Sequence, residues 1–183
     1  LLPRDVGKWN DSAGVVDNAI VDDEIDTRLT ALRQRGAFVL ALFDSCHSAT
    51  VTRKAPPEDW RDRGIEPEDL GIPAAALNKV TARGSGGASV KESGGAFSTS
   101  GPANAGGYVA FFGAQSNETT PQMNLPLDTS KPGREVHGLL TYTLASALAQ
   151  LPDGVGYRQV GEQVARQYVA DHFNSPTPAF EGD

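Results

Sequence analysis

The residues best suited to chemistry are Asp44-Ser45-Cys46-His47-Ser48, which set a carboxylate, two hydroxyls, an imidazole and the chain's only cysteine in five consecutive positions. A thiol is a strong nucleophile as the thiolate, and its pKa and exposure decide whether it reacts. With a proton acceptor beside it, a thiolate can attack a carbonyl carbon and hold the acyl group as a thioester. The plainer alternative is a small buried cysteine at the end of a strand. A direct pair between Cys46 and His47 is disfavoured, because neighbours on an extended segment point to opposite sides. The other histidines have ordinary readings. His137 opens a helix and is satisfied by loop carbonyls, and His172 lies near the end of the last helix, where the dipole suits an imidazole.

The elements that must position this cluster are legible on either side of it. Ala37-Phe38-Val39-Leu40-Ala41-Leu42-Phe43 is apolar without alternation, the pattern of a strand buried on both faces of a parallel sheet. The cluster begins where that strand ends, and functional groups gather at the carboxyl ends of strands in open α/β sheets. A helix is predicted over 22–35. Asp22 or Asp23 can cap it, acidic side chains crowd its positive end, Ile25, Leu29 and Leu32 share a face, and Gly36 stops it. Residues 6–19 read as a loop.

Downstream, 54–70 is rich in Pro, Asp, Glu and Arg, and half of the residues from Ala82 to Gly107 are Gly or Ser. Such a composition cannot bury enough surface to offset its ordering entropy, so it reads as a flexible linker. Order resumes with a second buried strand, Tyr108-Val109-Ala110-Phe111-Phe112. A loop from Glu118 to Pro132 follows. Then come a helix over 136–150 striped by Leu140, Leu144 and Leu148, and another over 157–173 with Val160, Val164 and Tyr168 in line.

Composition narrows the function classes. The chain has 183 residues, 39% of them hydrophobic, which is about one domain with a core. A net charge of -7 without a basic cluster argues against a nucleic-acid surface, and no apolar run approaches a membrane span. One cysteine excludes an internal disulfide and a CxxC metal site. It fits a reducing compartment such as the cytoplasm without requiring one. The chain starts at Leu1 rather than Met, as an excerpt or a processed product does.

Phe43-Asp44-Ser45-Cys46-His47-Ser48-Ala49 closely resembles the nucleophile segment of metacaspases and bacterial caspase-like peptidases, with Ala49 where the family's D-S-C-H-S-G pattern has glycine. Ile20-Val21-Asp22-Asp23-Glu24 looks like the family's segment before the preceding helix. Ala114-Gln115-Ser116-Asn117-Glu118, His137-Gly138-Leu139-Leu140-Thr141-Tyr142 and Pro178-Ala179-Phe180-Glu181-Gly182-Asp183 resemble later family segments in the same order. The resemblance implies an α/β caspase-like sandwich, with a mostly parallel central sheet flanked by helices and incomplete at its amino terminus. It divides the chain into a large-subunit part at 1–53, an inter-subunit linker at 54–107 and a small subunit at 108–183.

By the same resemblance the chain is a cysteine endopeptidase acting on protein or peptide substrates, without an organic cofactor. Cys46 is the nucleophile, and its backbone N–H contributes to the oxyanion hole. Asp44 is the acid of the S1 pocket that favours Arg or Lys before the cleaved bond, a preference that a partly desolvated carboxylate supports. Its alternative is a loop carboxylate bonded to backbone N–H groups. A preference for aspartate, as in animal caspases, would need a basic pocket. Asp22 and Asp23 match carboxylates that bind calcium in some metacaspases, but Arg53 stands where the family has a further aspartate. Arg83 and Lys91 are candidate processing sites in the linker. The family's base is a histidine in an S/G-H-G motif, which these residues lack, so it is expected upstream of Leu1 and the pair is incomplete here. The rival is a catalytically inactive caspase-like scaffold or regulatory binding module.

Overall fold

Two apolar pentapeptides form the centre of the fold, and the remaining elements are arranged by what those strands must bury. The computed structural model describes residues 1–45, 60–62, 65–77, 105–115 and 118–182. A short hairpin of β1 (Trp9–Asn10) and β2 (Val15–Val16) leads into helix α1 (Asp22–Gln34) and strand β3 (Val39–Phe43). Strands β4 (Arg61–Asp62), β5 (Tyr108–Phe112), β6 (Pro121–Leu125) and β7 (Glu135–Gly138) come next. Helices α2 (Leu139–Gln150) and α3 (Tyr157–Ala170) and strand β8 (Ala179–Gly182) complete the order.

The class is mixed α/β. One sheet has the order β3-β5-β8 and a second the order β4-β6-β7. Helix α1 covers one face of the first sheet, where Ile25 and Leu29 pack on Val39, Ala41, Tyr108, Ala110 and Phe112. Helices α2 and α3 build the larger core beyond the other face, joining Leu140, Leu144, Val160, Val164 and Tyr168 to Phe111 and Met123. Among the described residues no helix is long and apolar enough to cross a membrane.

The expectation of a mostly parallel sheet is corrected. Among the described residues only β3 and β5 pair in parallel; β8 runs antiparallel to β5, and every ladder of the second sheet is antiparallel. The reason lies in the connection. A single crossover helix returns the chain to the start of a strand and makes the next strand parallel. Here the antiparallel pair β6–β7 comes first, and two packed helices, α2 and α3, follow it. The second helix cancels the reversal made by the first, and β8 enters from the end at which β5 left.

Strand β3 also departs from its expected burial on both faces. Val39 and Ala41 are buried under α1, but Leu40 is 46% and Leu42 54% exposed. The strand lies at the sheet edge, so only half of its apolar pattern finds cover among the described residues. On α1, Leu32 stays exposed and Arg33 is buried in its place. Its guanidinium lies over the Tyr108 ring at 5.3 Å and its Nε donates to the Gly106 carbonyl at 3.0 Å. A long side chain that covers apolar surface with its stem suits this position. The α2 stripe shifts in the same way, from Leu148, which is exposed, to Ala147.

Parts of the stretch read as linker lie against the folded elements. Trp60 packs on the larger core, Arg61–Asp62 pairs with Pro121–Gln122, and Leu70 is buried. At its end, Gly106 runs so close to Ala37 that a Cβ would stand 2.0 Å from the Ala37 carbonyl oxygen. Only glycine fits there, and the approach lets the Gly107 carbonyl accept from the Val39 N–H at 2.9 Å.

Candidate active site

Helix α2 begins without a side chain able to cap it. Its N-cap is Gly138, and the first turn has no local acceptor, although the first N–H groups of any helix need one. The acceptor comes from the end of β3. Asp44 Oδ2 accepts a hydrogen bond from the Thr141 N–H at 3.0 Å and another from the Thr141 hydroxyl at 2.6 Å. A carboxylate at the positive end of a helix is also favoured by the dipole. The segment that leads to Cys46 is thereby tied to α2 across 97 positions of sequence.

Two further contacts hold the same segment. The Phe43 carbonyl accepts from the Gly113 N–H at 2.9 Å, extending the β3–β5 ladder by one step. The Ser45 carbonyl accepts from the hydroxyl of the fully buried Thr120 at 3.2 Å. Gly113 is enclosed: a Cβ there would meet the Thr120 methyl at 2.8 Å, Asp44 Oδ1 at 3.2 Å and Leu140 Cβ at 3.3 Å. Asp44 Oδ1 is accordingly shut off from solvent. Asp44 and Ser45 thus leave the carboxyl end of β3 held by three elements. Cys46, His47, Ser48 and Ala49 lie outside the described residues, as do Arg53, Arg83 and Lys91.

A second carboxylate organises the neighbouring loops. Glu118 accepts from the Gln115 N–H, the Thr177 N–H, and the hydroxyls of Ser175 and Thr177. The loop after β5 is so clasped to the segment before β8. Burial pushes the Tyr168 phenol up, and the charges of Asp44 and Glu118 add to the shift. Its hydroxyl is buried without a hydrogen-bond partner among the described residues. On the α1 side of the sheet, burial raises the Glu181 carboxyl to about 7. Tyr108 is pushed up to about 12 by burial first and by the charge of Glu181 second.

The remaining candidates are placed as follows. His137 does not open a helix as expected: it lies in β7 opposite Met123, with its ring 5.6 Å from that of Tyr142. The preceding strand pairing claims 135–138 before the helix can start. His172 is exposed in the turn after α3, at a φ of 62°. Asp22 and Asp23 are exposed in the first turn of α1, but the N-cap is Val21 and no side chain caps the helix. Asp22 instead accepts from the Asp23 N–H at 3.1 Å. No group of three or more His, Cys, Asp or Glu side chains converges as a metal site among the described residues.

Comparison of the chain with protein-family models, with curated proteins and with solved structures found no match. The geometry therefore has to speak through its own residues. Sequence reasoning singled out Asp44 and Cys46, quoted Thr141 and Glu118 only within the family-like segments without a role, and missed Thr120 and Gly113. A signal for Thr141 was present: an apolar helix that follows Gly138 with no Ser, Thr, Asp or Asn at its N-cap needs an acceptor from elsewhere.

Proposed function

We propose that this chain carries the nucleophile of a caspase-like cysteine endopeptidase of the metacaspase type, which hydrolyses peptide bonds after Arg or Lys. The observation that carries the reading is the anchoring of Asp44-Ser45, directly before Cys46, at the carboxyl end of the parallel pair β3–β5 and against the start of α2. A nucleophile gains from a rigid approach, because reaction rates fall steeply when the attacking atom is misplaced. The Cys46 sulfur attacks the scissile carbonyl carbon, and its proton passes through a histidine to the departing amine. Water then releases the acyl group from the thioester. The Cys46 N–H stabilises the charge on the carbonyl oxygen, and Asp44 supplies the negative charge that favours a basic side chain.

The histidine is taken to come from outside residues 1–183, since His137 rests on Tyr142, His172 sits in an exposed turn and His47 adjoins Cys46 on an extended segment of the sequence. The outer edge of β3 is paired by no strand of the described residues, and the proposal puts a further parallel strand there. The finer caspase-like sandwich belongs to the same proposal. That neither described histidine bonds to the Asp44 segment is what favours the rival, a catalytically inactive scaffold.

The test is an assay of the full-length protein on fluorogenic peptides ending in Arg, Lys or Asp, with Cys46→Ala as control. Cleavage after Arg or Lys that disappears in the variant supports the reading. Failure of the folded protein to cleave any of the peptides turns it to the scaffold. Calcium is added in a parallel series because Asp22 and Asp23 stand together at the start of α1. A rate unchanged by calcium leaves that pair a helix-start role alone.

A further inference from the structure

Asp44 is held asymmetrically. Oδ1 is closed off from solvent beneath Gly113, Thr120 and Leu140, while the Oδ2–Thr141 pair is exposed. Thr141 donates twice to the same oxygen, through its N–H and its hydroxyl. The N–H comes with the helix, whatever residue stands there. The hydroxyl belongs to threonine or serine alone, and at 2.6 Å it is the shorter of the two contacts. An aspartate has several staggered rotamers, and a short charge-assisted contact from a hydroxyl favours one of them.

We infer that Thr141 is a positioning residue for substrate selection: it holds the Asp44 carboxylate with Oδ2 outward and so presents the negative charge that recognises a basic side chain. The inference rests on the peptidase reading above and assigns the selectivity to a pair, Asp44 with Thr141, rather than to Asp44 by itself. A residue that only starts a helix would alter stability and leave charge selection untouched.

The experiment compares wild type, Thr141→Val, Thr141→Ala, Thr141→Ser and Asp44→Asn in the full-length protein by two readouts. The first is the ratio of kcat/KM for a peptide ending in Arg to that for its neutral citrulline analogue. In Thr141→Val the ratio is expected to fall at least about fivefold, through KM rather than kcat. Thr141→Ser stays within about twofold of wild type, since it restores the hydroxyl, and Asp44→Asn levels the ratio. The second readout needs no catalysis. It is the ratio of rates at which Cys46 reacts with a cationic and with a neutral methanethiosulfonate, located by peptide mass spectrometry, and the same ranking is expected. If Thr141→Val does not fold, Thr141→Ala takes its place. Should no peptide be cleaved by any variant, the peptidase reading fails and the thiol ratio still decides the role of Thr141. Folded Thr141→Val or Thr141→Ala with wild-type ratios, or a serine variant that does not restore them, overturns the inference.

Discussion

Replacing Gly113 by alanine tests whether the Asp44 segment is clamped as tightly as its contacts imply. The added methyl group would stand 2.8 Å from the Thr120 methyl, 3.2 Å from Asp44 Oδ1 and 3.3 Å from Leu140 Cβ. Carbon atoms in contact prefer about 3.5–4.0 Å, so the first approach is short by roughly an ångström. None of the three neighbours can yield freely. Thr120 and Leu140 are fully buried, and Asp44 is tied to Thr141. Overpacking of a filled site costs about 1–3 kcal/mol, and with rigid neighbours the upper half of that range is expected. For a chain of this size, that corresponds to a fall in Tm of roughly 4–12 °C. Gly156→Ala is the control, because a Cβ there meets nothing within 4 Å, and it should cost less than about 1 kcal/mol. Differential scanning calorimetry of both variants beside wild type reads the difference. If Gly113→Ala melts with wild type, the region around Asp44 is loose, and the positioning argument built on it collapses.

Three further outcomes follow from buried polar groups. Glu181, whose oxygens have no hydrogen-bond partner among the described residues, is raised by burial from 4.5 to about 7. Between those values the unfolded chain gives up the proton first, so this group's share of stability falls as pH rises through the window. Glu181→Gln should therefore gain on wild type from about pH 4.5 to about pH 7, by on the order of 1 kcal/mol after solvent screening, and parallel melting profiles would remove the argument. Tyr168→Phe deletes a buried hydroxyl that has no partner among the described residues. It should leave denaturant stability within about 1 kcal/mol of wild type, and a loss above about 2 kcal/mol would mean that the hydroxyl is bonded. Arg33→Lys should not preserve stability, because an ammonium cannot both stack over Tyr108 and reach the Gly106 carbonyl as the planar guanidinium does. A melting temperature equal to wild type would assign Arg33 a packing role through its stem alone.

Much of the scaffold was legible in the sequence, and for physical reasons. The apolar pentapeptides Val39–Phe43 and Tyr108–Phe112 became adjacent strands, since unbroken apolar runs of that length bounded by turn residues favour strands that pair. Val160, Val164 and Tyr168 repeat at four-residue spacing and are all buried along α3. Gly36, with a φ of 81°, ends α1 where its freedom from a Cβ predicts. Shorter patterns were not legible. Pro121-Gln122-Met123-Asn124-Leu125 alternates buried and half-buried residues, but five positions beside a loop do not separate a strand from an irregular run. Its partner at 135–138 has an exposed Val136, and it takes His137 from the helix that the sequence predicts there.

The sequence by itself determined the residue types of the candidate site, the strand that leads to it and the body of the helix over 139–150, although it started that helix at 136. Those depend on periodicity and local chemistry, which neighbouring residues carry among themselves. Only the tertiary structure decided that β8 runs antiparallel, that Arg33 rather than Leu32 turns inward, and that Asp44 serves as the missing cap of α2 by reaching Thr141. Each of these is a meeting of surfaces far apart in the chain. Which acceptor satisfies a helix end, or which face of a strand is covered, is settled by what the fold brings alongside, and no local pattern encodes it.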